Sequence, residues 1–281
     1  MEKVILILCD GLRYDTAIDG MGYLGHLVET KQANLYKVIG ELPSMSRPVY
    51  ETIHTGLPAK EHGIVANHVV RTSTRPNIFS LAQKAGKVTA ASAYSWFSEL
   101  YNCVPYNYVL DKEVDDNSLP IQHGRFYTED DTPDIETFTF GAMLAHKFSP
   151  DYLLIHLMGM DFIGETYGSD SSQYRNHAIH QDAMMAPSIE TWRSMGYQII
   201  VTSDHGMNKD KAHGGTTFEL REVPFYYINS EEKQKGETKE THSQLQIAPT
   251  ICKLIGLPIP ETMKSPPIFV KSPVDPVLYL P

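Results

Sequence analysis

The chain reads as an α/β protein: a mainly parallel central sheet with helices on both faces and a small inserted cap. Three observations predict this. Short apolar, β-branched runs alternate along the chain with longer helical stretches. The runs at residues 4–9, 151–157 and 197–201 are largely apolar, as strands buried on both faces are. Each is followed by an acidic residue in a turn containing glycine, at the end of the strand where open α/β sheets build their sites.

In chain order, residues 4–9 form a strand ending at Asp10-Gly11, and residues 46–55 a helix entered from the Pro43-Ser44 turn. Residues 78–85 form a short amphipathic helix closed by Gly86, and residues 87–93 a strand. A helix at 135–148 feeds the strand 151–157, which leads to Asp161. A long helix at 173–195 precedes the strand 197–201, and residues 223–228 form a further strand. The closing helix, 244–255, is stopped by Gly256 and Pro258. Two stretches break the rhythm. Residues 97–134, rich in Tyr, Asn, Asp and Pro, are expected to form the cap over the site, and the mixed-charge run 230–242 a solvated loop. Residues 1–281 are read as one domain, with no internal repeat and no low-complexity linker.

Composition narrows the function. A chain of 281 residues with 42% hydrophobic content can bury a full core. A formal charge of −10 argues against a nucleic-acid partner, which calls for a basic footprint. It leaves room for a small anionic substrate, because bound cations reverse the local field. Cys9, Cys103 and Cys252 lack metal-type spacing and form no disulfide framework, and Cys9 reads as a small buried hydrophobe. With no signal peptide and no run long enough to span a bilayer, the expectation is a cytoplasmic protein with no membrane partner.

The chemistry concentrates in Ser203-Asp204-His205-Gly206-Met207, with Ala212-His213-Gly214-Gly215 close behind. A carboxylate beside two imidazoles suits a zinc-like ion. Alone, Asp-His-Gly is a weak motif. Together with Asp10 and Asp161, each delivered by a separate strand, it predicts a site for two divalent metals.

These residues carry a resemblance. Cys9-Asp10-Gly11, then Pro43-Ser44-Met45-Ser46-Arg47-Pro48, Thr55-Gly56-Leu57-Pro58 and His62-Gly63-Ile64, resemble the alkaline phosphatase superfamily, in its type I phosphodiesterase/nucleotide pyrophosphatase branch. Asp161 with Gly164 and Tyr167-Gly168, then Ser203 to Met207, His213-Gly214-Gly215 and the closing segment from Gln246, continue it in the family's order.

The resemblance implies that Ser46 is the nucleophile, at the amino end of a helix whose dipole favours an anion. Ser44 is the competing serine. It also implies that Asp10, Asp204 and His205 hold the metal that binds Ser46, while Asp161 and His213 hold a second metal that activates water. Asn67 would donate its amide to a phosphoryl oxygen. Two departures stand out. Where the family has a histidine four residues after its aspartate, this chain has Glu165, which would make the site harder and move its preference from zinc towards manganese or magnesium. His177 or His180 are the alternative donors. Arg47 replaces an aromatic neighbour of the nucleophile and could clamp a phosphate. His123, Arg125 and Tyr127, in the expected cap, are candidate substrate contacts.

The implied function is metal-dependent hydrolysis of a small phosphodiester through a phosphoseryl intermediate. Phosphomonoester, phosphonate and sulfate-ester hydrolysis are the rivals on the same fold, and a metal-stabilised binding protein without catalysis is the remoter alternative.

Overall fold

The computed structural model describes residues 2–229, 234–269 and 279–280. The strands of its main sheet are β1 (Lys3–Cys9), β2 (Ala33–Ile39), β3 (Thr89–Tyr94), β4 (Glu113–Asp115), β5 (His123–Tyr127), β6 (Tyr152–Leu157), β7 (Tyr197–Thr202), β8 (Glu222–Ile228) and β9 (Gly236–Ser243). They form one nine-stranded sheet in the order β4-β5-β3-β6-β1-β7-β8-β2-β9. The five strands from β5 to β7 run parallel. Around this centre the edges are mixed: β8 runs antiparallel between β7 and β2, and β4 antiparallel to β5.

The helices are α1 (Tyr14–Gly20), α2 (Gly22–Glu29), α3 (Ser46–Thr55), α4 (Ala59–His62), α5 (Ile78–Lys84), α6 (Ser95–Tyr101), α7 (Asp134–Phe148), α8 (Gly159–Tyr167), α9 (Ser172–Ser194), α10 (Phe218–Arg221) and α11 (Ile247–Leu254). Strand alternation divides the core between the two faces of the sheet. Val4, Leu6 and Leu8 of β1 pack with Val49, Phe79, Phe97 and Ile251 on one face. Ile5, Ile7 and Cys9 pack with Leu24, Phe138, Ile189 and Trp192 on the other. With both faces covered, β1 is apolar throughout, and truncating Leu6 to alanine would cost about 2–5 kcal/mol.

Two expectations are corrected. Residues 97–134 do not form a cap: they supply β4 and β5, which extend the sheet beyond β3. The mixed-charge run is not wholly a loop, because β9 pairs in parallel with β2 at the far edge of the sheet. Its exposed Glu237, Lys239 and Glu240 suit an edge, where charge discourages further strand pairing. Residues 230–233 lie outside the described residues. Among the described residues, no helix is long and apolar enough to cross a membrane.

Candidate active site

The site lies past the carboxyl ends of β1, β6 and β7. Asp10 leaves β1 in a turn that needs glycine at position 11: Gly11 has φ +76°, and a Cβ there would lie 2.9 Å from the backbone of Asp161. That close approach brings the β1 and β6 turns together. Asp204 and His205 follow β7, and Ser203 ties the turns by accepting the Leu12 N–H at 2.9 Å and donating to the His205 carbonyl at 2.7 Å. The Asp204 Oδ1 accepts the Gly11 N–H at 3.1 Å.

Ser46 opens α3, which has no side-chain cap at its amino end and closes on Gly56 in the left-handed conformation. Pro48 has no N–H and the Asn67 side chain takes that of Arg47, which leaves the Ser46 N–H at this end of the dipole to meet an anion. The Ser46 Oγ lies 3.3 Å from His205 Nε2. Ser44 is otherwise engaged: its hydroxyl donates to the Gly215 carbonyl at 2.8 Å, pinning the loop that carries His213. The Asn67 carbonyl oxygen accepts the Arg47 backbone N–H at 3.1 Å, which holds that side chain beside the start of α3.

Both imidazoles are oriented from behind. His205 Nδ1 lies 2.9 Å from the Gly206 carbonyl, and His213 Nδ1 lies 3.1 Å from the Ser44 carbonyl. A carbonyl can only accept, so each Nδ1 carries a proton. For neutral His205 this leaves the Nε2 lone pair facing Asp10 Oδ1, Asp204 Oδ2 and Ser46, each 3.3 Å away. Burial lowers the His205 pKa to about 4, so the ring is neutral at pH 7.

Among the described residues, Asp10 Oδ1, Asp204 Oδ2 and Asp161 Oδ1 are buried oxygens with no hydrogen-bond partner. Lone pairs facing one another in a buried site repel unless a cation lies between them. Asp10, Asp204 and His205 form one convergent donor group, and Asp161, His205 and His213 form another. Without a cation the strain shows in the acids. Burial, then the charge of Asp204, pushes the Asp10 carboxyl well above the ordinary range, and burial, then Asp10, does the same to Asp161.

Glu165 Oε1 lies 3.3 Å from His213 Nε2. That contact, first among its causes, lowers the Glu165 pKa. Burial opposes charge on His213, but Glu165 and Asp161 outweigh it and raise its pKa to about 10. Asp161 Oδ1 is 3.8 Å from the same nitrogen. The site thus gathers Asp10, Ser46, Asp161, Glu165, Asp204, His205 and His213.

The other candidates lie elsewhere. His177 Nε2 lies 2.8 Å from Asp134, which also accepts from Gln181 and the Gly159 N–H. His180 belongs to neither donor group. His123 and Arg125 both pair with Asp115 across β4 and β5 at 2.9 Å, and His123 stacks on Phe148. They stitch the sheet edge. The buried Arg47 guanidinium pairs through Nη2 with Glu99 at 2.6 Å and lies 4.4 Å from the Trp96 ring centre, while its Nε and Nη1 have no hydrogen-bond partner among the described residues.

Sequence reasoning passed over His156 and Tyr50. His156 Nε2 lies 3.1 Å from Asp10 Oδ2, the oxygen to which the Tyr50 hydroxyl donates. The signal for Tyr50 was its place four residues after Ser46, on the same helix face. For His156 it was an imidazole within an otherwise apolar run buried on both faces.

The sequence profile of the type I phosphodiesterase / nucleotide pyrophosphatase family matches residues 4–223. The chain belongs to this family, a group of enzymes that act on phosphoric esters. Among curated proteins, it is 23% identical over 275 residues to the catalytic subunit of human GPI ethanolamine phosphate transferase 2, covering 92% of this chain and 27% of that one. The chain spans 25–37% of the length of this relative and two similar ones. Among solved structures, an inactive form of murine ectonucleotide pyrophosphatase / phosphodiesterase 5 in complex with AMP superposes with a TM-score of 0.72 at 15% identity, covering 92% and 96% of the two chains. A phosphonate monoester hydrolase from Silicibacter pomeroyi gives 0.67 at 14% identity, covering 95% and 76%.

Proposed function

We propose that the chain is a divalent-metal-dependent phosphodiesterase that works through a phosphoseryl intermediate on Ser46. The observation that carries the reading is the convergence of three unpartnered, buried carboxylate oxygens with His205 and His213 in two donor groups, with the Ser46 hydroxyl 3.3 Å from the His205 Nε2 that both groups share. Asp10, Asp204, His205 and Ser46 would hold one cation, and Asp161, His213 and Glu165 the other. When bound, the two cations would polarise phosphoryl oxygens and make the serine hydroxyl and a water more acidic.

The residues then divide the work. The amino end of α3 and the Asn67 amide steady the phosphoryl oxygens. The Ser46 Oγ forms a bond to phosphorus as the bond to the leaving alcohol breaks, and that alcohol departs with a proton. The oxygen of a water then attacks the phosphoseryl diester, the Ser46–phosphorus bond breaks, and Ser46 regains its proton. The products are an alcohol and a phosphomonoester.

A second reading is supported by the ethanolamine phosphate transferases to which most of the chain is similar. An alcohol could replace water in the second step, making the reaction a transfer. We read the protein as cytoplasmic and its partner as a small phosphate ester.

The test is hydrolysis of a chromogenic phosphodiester against its monoester, by metal-stripped protein reloaded with zinc, manganese or magnesium. The expected result is diester turnover that Ser46→Ala abolishes while metal binding survives. Full activity in Ser46→Ala would overturn the mechanism. Monoester preference would favour a phosphomonoesterase. A mixed ester product formed with added alcohol would establish transfer.

A further inference from the structure

His156 takes no part in these steps, yet it is wholly buried in β6. An imidazole in such a place is costly unless both nitrogens are bonded. Both are: Nε2 lies 3.1 Å from Asp10 Oδ2, and Nδ1 lies 2.7 Å from the Tyr127 hydroxyl. The His156 carbonyl, 3.0 Å from the same hydroxyl, competes for its proton.

With Asp10 ionised, as a cation ligand must be, and the imidazole neutral, one proton arrangement satisfies both of its nitrogens. Tyr127 donates to Nδ1, which places the ring proton on Nε2, and Nε2 donates to Asp10 Oδ2. Tyr50 donates to that same oxygen from α3. Asp10 therefore has one oxygen doubly bonded from behind and one left bare. The bare Oδ1 faces His205 Nε2 at 3.3 Å.

We propose that Tyr127, His156 and Tyr50 are positioning residues that lock the Asp10 carboxylate with Oδ1 aimed at the first cation. The inference rests on the metal reading above. It gives β5 a purpose beyond extending the sheet, since Tyr127 at its carboxyl end is the first link in the chain. No comparable chain backs Glu165, whose side chain is 53% exposed. The lock therefore belongs to one half of the site.

The test is calorimetric titration of zinc into the metal-stripped full chain, with His213→Ala used to assign the two binding events. His156→Leu is expected to weaken the first site about 10–100-fold, the scale for losing a group that orients a ligand. The second site should change by less than about threefold, a lesser effect on the same scale. His156→Gln, which keeps an N–H able to reach Asp10, should recover most of the loss. Tyr127→Phe should cost about tenfold or less.

Wild-type first-site affinity in His156→Leu and Tyr127→Phe would overturn the proposal. So would equal weakening of both sites with no rescue by His156→Gln. If His156→Leu does not fold, the Gln and Phe variants decide alone: a first-site loss in Tyr127→Phe that exceeds its own second-site loss, with near wild-type affinity in His156→Gln, supports the lock, and its absence overturns it. A wild-type chain that binds no zinc would instead overturn the metal reading on which the inference rests.

Discussion

The two halves of the site are built differently. Asp10, Asp204 and His205 are completely buried at the ends of adjacent central strands, and backbone and side-chain hydrogen bonds hold them from behind. Asp161, Glu165 and His213 come from the start of α8, its exposed last turn and a loop, and His213 is paired to Glu165 as an ion pair. The difference teaches where a ligand can change. A donor fixed by the sheet cannot be exchanged without disturbing the core. A donor on an exposed helical turn can, and Glu165 is in that half.

The largest expected effect tests the buried half. Asp204→Asn should lower turnover by about a hundredfold to a thousandfold, the scale of losing a group aimed at developing charge. Metal stoichiometry should fall from two to one. Near-normal turnover with both metals retained would erase the distinction between the halves.

Next comes a buried acid with no metal to relieve it. Glu51, on α3, accepts from the Ser73 hydroxyl at 2.5 Å, and burial raises its pKa to about 7. A raised carboxyl pKa favours the fold while the group is protonated, fully so below the ordinary value of 4.5. That stability is lost as pH rises through about 7. Glu51→Gln should remove this loss, worth roughly 2–3 kcal/mol, between pH 5 and 8. Thermal melts of the metal-free protein across that range check it. Parallel curves for variant and wild type would show that Glu51 ionises at its ordinary pKa.

A smaller effect probes the exposed half. With a pKa raised to about 10, His213 is protonated at pH 7.5 and must lose that proton to bind a cation. Second-site affinity should therefore rise about tenfold per pH unit between pH 7 and 9, with one proton released, measured by titration in buffers of different ionisation enthalpy. Affinity independent of pH would remove His213 from the ligand set. The smallest effect belongs to Glu165→His, which should shift preference towards zinc over manganese by about tenfold, as a nitrogen ligand does. An unchanged profile would show that Glu165 only pairs with His213.

Much of the site could be read from the chain because its donors sit where strands end. Asp10, Asp161 and Asp204 each follow an apolar run, and those runs are the parallel centre of the sheet. The edges were hidden. β5 carries Arg125 inward on the strength of its pairing with Asp115, so its sequence lacks the apolar pattern of a central strand. β9 is almost wholly polar, as an edge can be. Arg47 pairs with Glu99, and His123 and Arg125 with Asp115, each on another element of the fold. Nothing local to them reveals Glu99 or Asp115.

The sequence by itself determined the fold class, the order of the central elements, the serine at the start of its helix and the acids and imidazoles that surround it. These follow from periodicity and from residue types at strand ends, which are local properties of the chain. Only the tertiary structure decided which oxygens face inward without partners, that Ser44 is engaged elsewhere, and that Tyr127 and His156 stand behind Asp10. Those are relations between strands far apart in sequence, and they come into being only when the sheet forms.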